Sequence, residues 1–254
     1  MASIDHATLT LAERLHATAA IATVVAIETL STSLVEVTLR VDPHLVGAPG
    51  SDVMVDVGRG RTLRRRYSVR RADPSASTLT LWVGVDHEGP GVAWVRDVAP
   101  GDEVVAIGPR GKITLDPAAS WNLFCGDLSA LGAFSRMVEA IEPGRRALVA
   151  LEVDALDDAR SPAPPEGVDL RLVLAERAGR APSDPAGLTR ALATLELPPG
   201  PGHAFLFGEF HVVRALRALL ADRGLAETAI SHKAYWRAGR ANADHGEPDK
   251  SEPA

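Results

Sequence analysis

A single cysteine, Cys125, stands in the 254 residues. One thiol closes no internal disulfide and falls short of the four thiolates of an ordinary iron–sulfur cluster. Redox chemistry in this chain must therefore run on an organic cofactor or on histidine and carboxylate ligands. Aromatic side chains are scarce as well, at 4%, so each one is worth locating. Positive charge is not in excess. The 27 Lys and Arg against 33 Asp and Glu leave a net charge of -6, which argues against general nucleic-acid binding. No apolar run approaches the roughly 18 residues of a membrane span. The opening MASIDHATLTLAERLH lacks a basic stretch followed by an apolar one. The expectation is a cytoplasmic protein with no stable membrane association. What is present, 46% apolar and 24% charged residues, is an ordinary globular mixture.

The rhythm of the chain changes near residue 118. Before it, β-branched and apolar runs recur at Ile21 to Leu30, Val35 to Val41, Val53 to Val57, Tyr67 to Val69, Leu79 to Val85 and Val104 to Ile107. Turn residues such as Asp42-Pro43, Asp73-Pro74 and Pro100-Gly101-Asp102 separate them. Short strands at this spacing predict an antiparallel barrel or sandwich. After residue 118, strands alternate with helical patterns. Strands are predicted around Leu123-Phe124, Ala147 to Val153, Leu170 to Leu174, His203 to Phe207 and Ala229 to Ser231. Helices are predicted at Ser129 to Ile141, Leu188 to Leu195 and Val212 to Arg223. Such alternation predicts a parallel sheet covered by helices. The proline-rich stretch Asp157 to Val168 reads as a surface loop. The expected organisation is an N-terminal extension (1–17), an antiparallel β-barrel (18–117), a parallel α/β domain (118–240) and a flexible polar tail (241–254).

Two segments of the first half carry chemistry. In Arg64-Arg65-Arg66-Tyr67-Ser68-Val69-Arg70-Arg71, strand alternation sends Arg65, Tyr67 and Val69 to one face and Arg66, Ser68 and Arg70 to the other. A tyrosine can lie on a flat heteroaromatic ring, an arginine can grip a phosphate bidentately, and a serine hydroxyl can reach ring polar atoms. The same run also fits an exposed basic edge strand that discourages strand addition. His87-Glu88-Gly89-Pro90-Gly91-Val92-Ala93-Trp94 follows a strand and opens a helical stretch. Glycines at a helix start let backbone N–H groups approach an anion, and the dipole favours a pyrophosphate there. A plain tight turn reads equally well.

In this order and spacing, RRRYSVRR, HEGPGVAW and PGDEVVAIGPRG resemble the flavin domain of siderophore-interacting proteins, a branch of the ferredoxin-reductase-like flavoenzymes. The family's Arg-x-Tyr-Ser/Thr motif falls on Arg65, Tyr67 and Ser68, its Gly-Pro-Ala turn on Gly89, Pro90 and Gly91, and its flavin-side histidine on His87. Three further segments extend the resemblance over about residues 18 to 240. Gly126-Asp127-Leu128-Ser129-Ala130 matches a strand-to-helix turn of the family, where Ser129 or Asp127 can cap the helix. Phe207-Gly208-Glu209-Phe210 matches a Gly-Glu-Ala segment, and Lys233-Ala234-Tyr235-Trp236-Arg237-x-Gly239 a Tyr-Trp-Arg-x-Gly end.

The resemblance implies FAD held in the barrel by Arg65, Tyr67, Ser68, Val69, His87, Gly89, Pro90, Gly91, Val92 and Trp94. It implies NADPH or NADH bordered by Asp127, Ser129, Ala130 and Glu209, with Trp236 stacking on flavin or nicotinamide unless it is a hydrophobic plug against the sheet. No catalytic side chain and no protein-bound metal are implied, because the cofactor carries the hard chemistry. The implied function is reduction of a ferric siderophore with release of Fe(II) in the cytoplasm. Arg64, Arg66 and Lys233 would collect the anionic complex, helped by Arg59, Arg61, Arg70 and Arg71. A solvated charged face accounts for the same arginines. Other readings are a general flavin reductase or diaphorase, and a flavin-binding electron carrier without NAD(P)H turnover, with reduced ferredoxin as a donor. The nicotinamide half departs from the family pattern at Leu128, at Leu174 to Arg177, and at Phe207 and Phe210. Asp154 suggests recognition of a ribose 2′-hydroxyl, whereas Arg177 and Arg180 would suit a 2′-phosphate.

Overall fold

The computed structural model describes residues 2–58 and 63–240. Arg59 and Arg61 of the basic run and the 241–254 tail lie outside the described residues. The chain divides into two compact units, Met1–Thr114 and Leu115–Ala254.

In the first unit, six strands close a barrel. They are β1 (Thr18–Thr29), β2 (Leu34–Arg40), β3 (Asp52–Asp56), β4 (Arg64–Asp73), β5 (Thr78–Gly84) and β6 (Glu103–Arg110). Their order is β1-β2-β5-β4-β3-β6, with every pairing antiparallel and β6 closing on β1. Alternation sends Ala22, Val24, Val37, Leu39, Val53, Val55, Val69, Leu79 and Leu81 into the interior, each of them buried. At one end the short helix α2 (Pro90–Asp97) contributes Trp94 and Val95 to that core. β4 carries one extra residue between Val69 and Arg71 in its pairing with β5. The extra residue, Arg70, is buried and stacks over the ring of Trp82 at 4.7 Å.

The N-terminal extension is not featureless. Helix α1 (His6–Arg14) is capped by Asp5, whose carboxylate accepts from Thr8 N at 2.7 Å. Ala12 of α1 packs with Met54 and Ile107, side chains directed out of the barrel. Asp followed by Thr three residues on was a readable helix start. The apolar stripe behind it is too thin to declare itself, and Leu9 remains 46% exposed.

The second unit is a parallel sheet of β7 (Trp121–Asp127), β8 (Arg146–Val153), β9 (Asp169–Glu176), β10 (Gly202–Glu209) and β11 (Ile230–Trp236). The order is β11-β10-β7-β8-β9. Helix α3 (Leu131–Val138) covers one face. There Phe124, Phe134, Phe205, Phe207 and Tyr235 form a run of ring contacts with centroids 5.1–5.6 Å apart. On the other face, α4 (Ala186–Thr194) and α5 (Phe210–Asp222) pack Leu188, Leu192, Val213 and Leu216 against Leu123, Cys125, Leu148 and Leu206. Cys125 is a buried packing residue, and burial pushes its thiol pKa up. β7 and β10 are neighbours, yet β8 and β9 intervene in sequence. The strand order therefore reverses between them, which makes their carboxyl ends the switch point of the sheet.

Candidate functional site

The barrel half of the site is built by β4 and α2. Tyr67 packs against the barrel core, and its ring centroid lies 5.8 Å from that of Trp94. Its hydroxyl has no hydrogen-bond partner among the described residues, and burial pushes the phenol pKa up. The Trp94 indole N–H is likewise buried without a partner among them.

Gly91 explains how the tyrosine reaches so far. A Cβ on Gly91 would lie 2.6 Å from Tyr67 Oη and 4.0 Å from Arg65 Cγ. Glycine there allows Tyr67, Arg65 and the first turn of α2 to converge. Gly89, the residue before the helix, has φ 155°, a conformation that favours glycine. Pro90 opens the helix, and no side chain caps it. The open helix start, the neighbouring guanidinium and the unpartnered hydroxyl are a donor set that suits an anionic cofactor with a flat ring.

The remaining barrel residues are more dispersed. Val69 and Val92 are core residues. His87 is exposed, and its ring nitrogen lies 3.1 Å from Glu88 O. Arg64 is held by α1, donating to Thr8 Oγ1 at 2.6 Å. Arg66 and Ser68 oppose Met54 and Asp52 of β3.

In the second unit the switch point gathers Asp127, Ser129, Glu209 and Trp236. Asp127 is a buried carboxylate with four donors. Its Oδ1 accepts from the N and Oγ of Ser129, and its Oδ2 accepts from Glu209 N at 2.9 Å and Trp236 Nε1 at 3.0 Å. Burial raises its pKa, and the hydrogen bonds oppose the rise. Two glycines permit this closure. A Cβ on Gly126 would collide with Phe207 O, and one on Gly208, at φ 137°, with the Asp127 carboxylate. Glu209 caps α5, accepting from His211 N at 2.6 Å and Val212 N at 3.1 Å, while its other oxygen accepts from Ala238 N.

Two points that the sequence leaves open are decided here. The cap after β7 is Asp127, acting on a single 3-10 turn at Leu128–Ala130, and Ser129 donates to it. A carboxylate offers two oxygens where a hydroxyl offers one, so the buried turn takes the acid. Phe207 is 1% exposed and stacked between Phe134 and Tyr235, so it fills the core and obstructs no cleft. Phe210 is half-buried beside Arg214 and Arg237. Lys233 lies 5.5 Å from the Tyr235 ring centroid, and Ala130 is buried at the base of α3.

One member of a charged cluster, Glu152, escaped the sequence reading. At the ends of β8 and β9, buried Glu152 pairs with Arg177 and Arg180, and Arg177 also holds Asp154. Glu152 sits two residues before Asp154 in a run of apolar residues. That isolated acid was the available signal.

Comparison with known proteins accords with this arrangement. Residues 50–113 match the model of the siderophore-interacting FAD-binding domain, and residues 119–239 that of the siderophore-interacting protein. The chain belongs to the siderophore-interacting protein family. The ferric vibriobactin reductase ViuB of Vibrio cholerae is 30% identical over 180 residues, 69% of this chain and 65% of that protein. The NADPH-dependent ferric-chelate reductase of Escherichia coli is 26% identical over 159 residues, 60% of this chain and 58% of that protein. The chain thus spans about two-thirds or less of the length of these curated relatives. The crystal structure of a siderophore utilization protein from T. fusca superimposes with a TM-score of 0.76 at 27% identity, covering 90% of this chain and 96% of that one. The family's barrel and parallel sheet are the two units described here. Among the described residues, no group of three or more His, Cys, Asp or Glu is placed to hold a metal, and no helix is long and apolar enough to cross a membrane.

Proposed function

We propose that this protein is a flavin-dependent ferric-siderophore reductase. The observation that carries the reading is the convergence of Tyr67, Arg65 and the uncapped start of α2 on Gly91, inside the segment that matches the FAD-binding domain. Bound FAD supplies a carrier that takes two electrons from a reduced nicotinamide and gives them singly to Fe(III). The chain's own residues bind and orient. Tyr67 presents a ring to the flavin, Arg65 and the α2 backbone N–H groups receive the pyrophosphate, and Ser68 lies next to the tyrosine on the strand. Asp127 and Glu209 act at one remove, because their carboxylates hold the ends of β7, β10 and β11 together. Ferric siderophores are often anionic. Arg66 and Arg71 on β4 are the cations proposed for their capture. Fe(II) is held more weakly than Fe(III) by hard oxygen donors, so reduction loosens the metal, and the cytoplasm is the proposed place of release.

The test is anaerobic. Purified protein should be yellow, should bleach with NADH or NADPH, and should then produce Fe(II) from a ferric catecholate, read with a colorimetric chelator. The rate should fall as salt rises, since exposed charges are screened beyond about 8–10 Å. Protein that takes up no FAD refutes the flavin assignment. Bleaching followed by turnover of free FMN, with no Fe(II) from the catecholate, refutes the substrate and leaves a diaphorase.

A further inference from the structure

We infer that the sheet end formed by β8 and β9 selects a dinucleotide without a 2′-phosphate, so that the electron donor is NADH. The inference rests on the reading above that a reduced nicotinamide is the donor. It concerns residues that the family comparison leaves unassigned.

The decisive group is Glu152, the penultimate residue of β8, whose side chain is 2% exposed. Its Oε1 accepts from Arg180 Nη2 at 2.8 Å, and its Oε2 faces Arg177 Nε at 3.4 Å. Arg177 is shared. Its Nη1 donates to both oxygens of Asp154, at 2.9 and 2.8 Å. Arg180 is pinned further by the carbonyls of Arg177 and Glu176, each at 2.9 Å. Two guanidinium groups therefore face two carboxylates, and the cluster is neutral.

A 2′-phosphate would draw on those arginines, and each of them already holds a carboxylate of the protein. If Arg177 turned to a phosphate, Asp154 would be left beside the new negative charge. If Arg180 turned, Glu152 would keep only its longer contact in a buried setting, where an uncompensated charge is costly. The backbone offers no substitute. The start of α4 is where a helix dipole would attract a phosphate. A Cβ on Gly187, in its first turn, would overlap Glu152 Oε1 and the Arg180 guanidinium. The protein's own carboxylate already lies against that turn.

A ribose with a free 2′-hydroxyl meets the opposite situation. The Asp154 side chain is 45% exposed, and an ionised carboxylate has about four acceptor sites. Asp154 can keep Arg177 and still accept from a hydroxyl. The same carboxylate that repels a phosphate recognises the sugar.

The experiment titrates the flavin-loaded full chain with 5′-AMP and with 2′,5′-ADP, which differ only by the 2′-phosphate, and reads binding by calorimetry. The 2′-phosphate should weaken binding by about tenfold to a hundredfold, the scale of one hydrogen bond to a charged group. Asp154→Asn removes the repulsion and releases Arg177, and it should narrow that ratio by about tenfold. Asp154 is exposed enough for this variant to fold, and a far-ultraviolet spectrum like the wild type's accompanies the measurement. Equal or tighter binding of 2′,5′-ADP to the wild type overturns the inference, as does a ratio unmoved by Asp154→Asn. Bleaching by NADPH alongside the first of these results leaves the nicotinamide reading intact. Binding of neither nucleotide, with no bleaching by NADH or NADPH, brings down both.

Discussion

Replacing Gly91 by alanine sets two calculable effects against each other. Gly91 is the second residue of α2, and alanine is better than glycine in a helix by up to about 1 kcal/mol. The new methyl, however, would lie 2.6 Å from Tyr67 Oη. Ordinary contact begins at 3.4 Å, so the hydroxyl must retreat by 3.4 − 2.6 = 0.8 Å. Tyr67 has little freedom to do so, because its ring is wedged against the barrel core and Trp94. Overpacking of this kind costs about 1–3 kcal/mol. The steric effect wins, and Gly91→Ala should destabilise the flavin-free protein and weaken FAD binding.

The control is Tyr67→Phe. Without the hydroxyl, the nearest ring atom is Cζ at 3.7 Å from the new methyl, an ordinary contact. In that background Gly91→Ala should be neutral or stabilising by up to about 1 kcal/mol. Alone, Tyr67→Phe deletes a buried hydroxyl without a partner and should cost nothing or stabilise by about 1 kcal/mol. Urea unfolding followed by tryptophan fluorescence yields the coupling, expected at about 1–3 kcal/mol. A Gly91→Ala effect equal in both backgrounds to within about 0.5 kcal/mol refutes the account of the cradle.

Other outcomes follow from the second unit. Trp236→Phe removes one of the four donors to buried Asp127 and should cost about 1.5–3 kcal/mol in the same unfolding assay. Phe207→Ala opens the middle of the aromatic run and should cost about 3–5 kcal/mol, with a lowered thermal midpoint as the readout. Burial holds the pKa values of His203 and His232 below the ordinary histidine value. The unfolded chain therefore takes up protons first. The stability from these groups is complete above about pH 6.5 and is lost as pH falls through the lower folded values. Urea midpoints at pH 8 and pH 5 should differ in that direction, and His203→Gln should shrink the difference.

The barrel strands were legible because their inner face must be apolar, so Val37-x-Leu39 and Leu79-x-Leu81 announce period two. The parallel sheet was legible because its central strands β7, β8 and β10 are buried on both faces and read as unbroken runs, as in Ala147 to Leu151. Tyr67 and Gly91 were each visible as motif members. Their contact was not, because it joins residues 24 positions apart through an atom that glycine lacks. Arg177 and Arg180 were noticed as possible phosphate ligands, but sequence alone cannot state what holds a guanidinium. Glu152 lies 25 and 28 residues away from them, across a strand pairing and a loop. The function of Asp127 was half-read for the same reason. Its local cap is written in the next two residues, whereas its bonds to Glu209 and Trp236 span 82 and 109 positions.

Those long spans bear on how the protein is made. During synthesis Asp127 emerges well before Glu209 and Trp236, with which its second oxygen bonds. Until residue 236 has left the ribosome, that carboxylate lacks at least one of its four donors and β10 lacks its outer neighbour. The nascent second unit must therefore wait with a charged, unfinished edge, while the barrel, whose strands end at Arg110, can already have closed. A premature stop between Glu209 and Trp236 should leave a folded barrel attached to an unsealed sheet, and such products are the natural substrates of quality-control proteases.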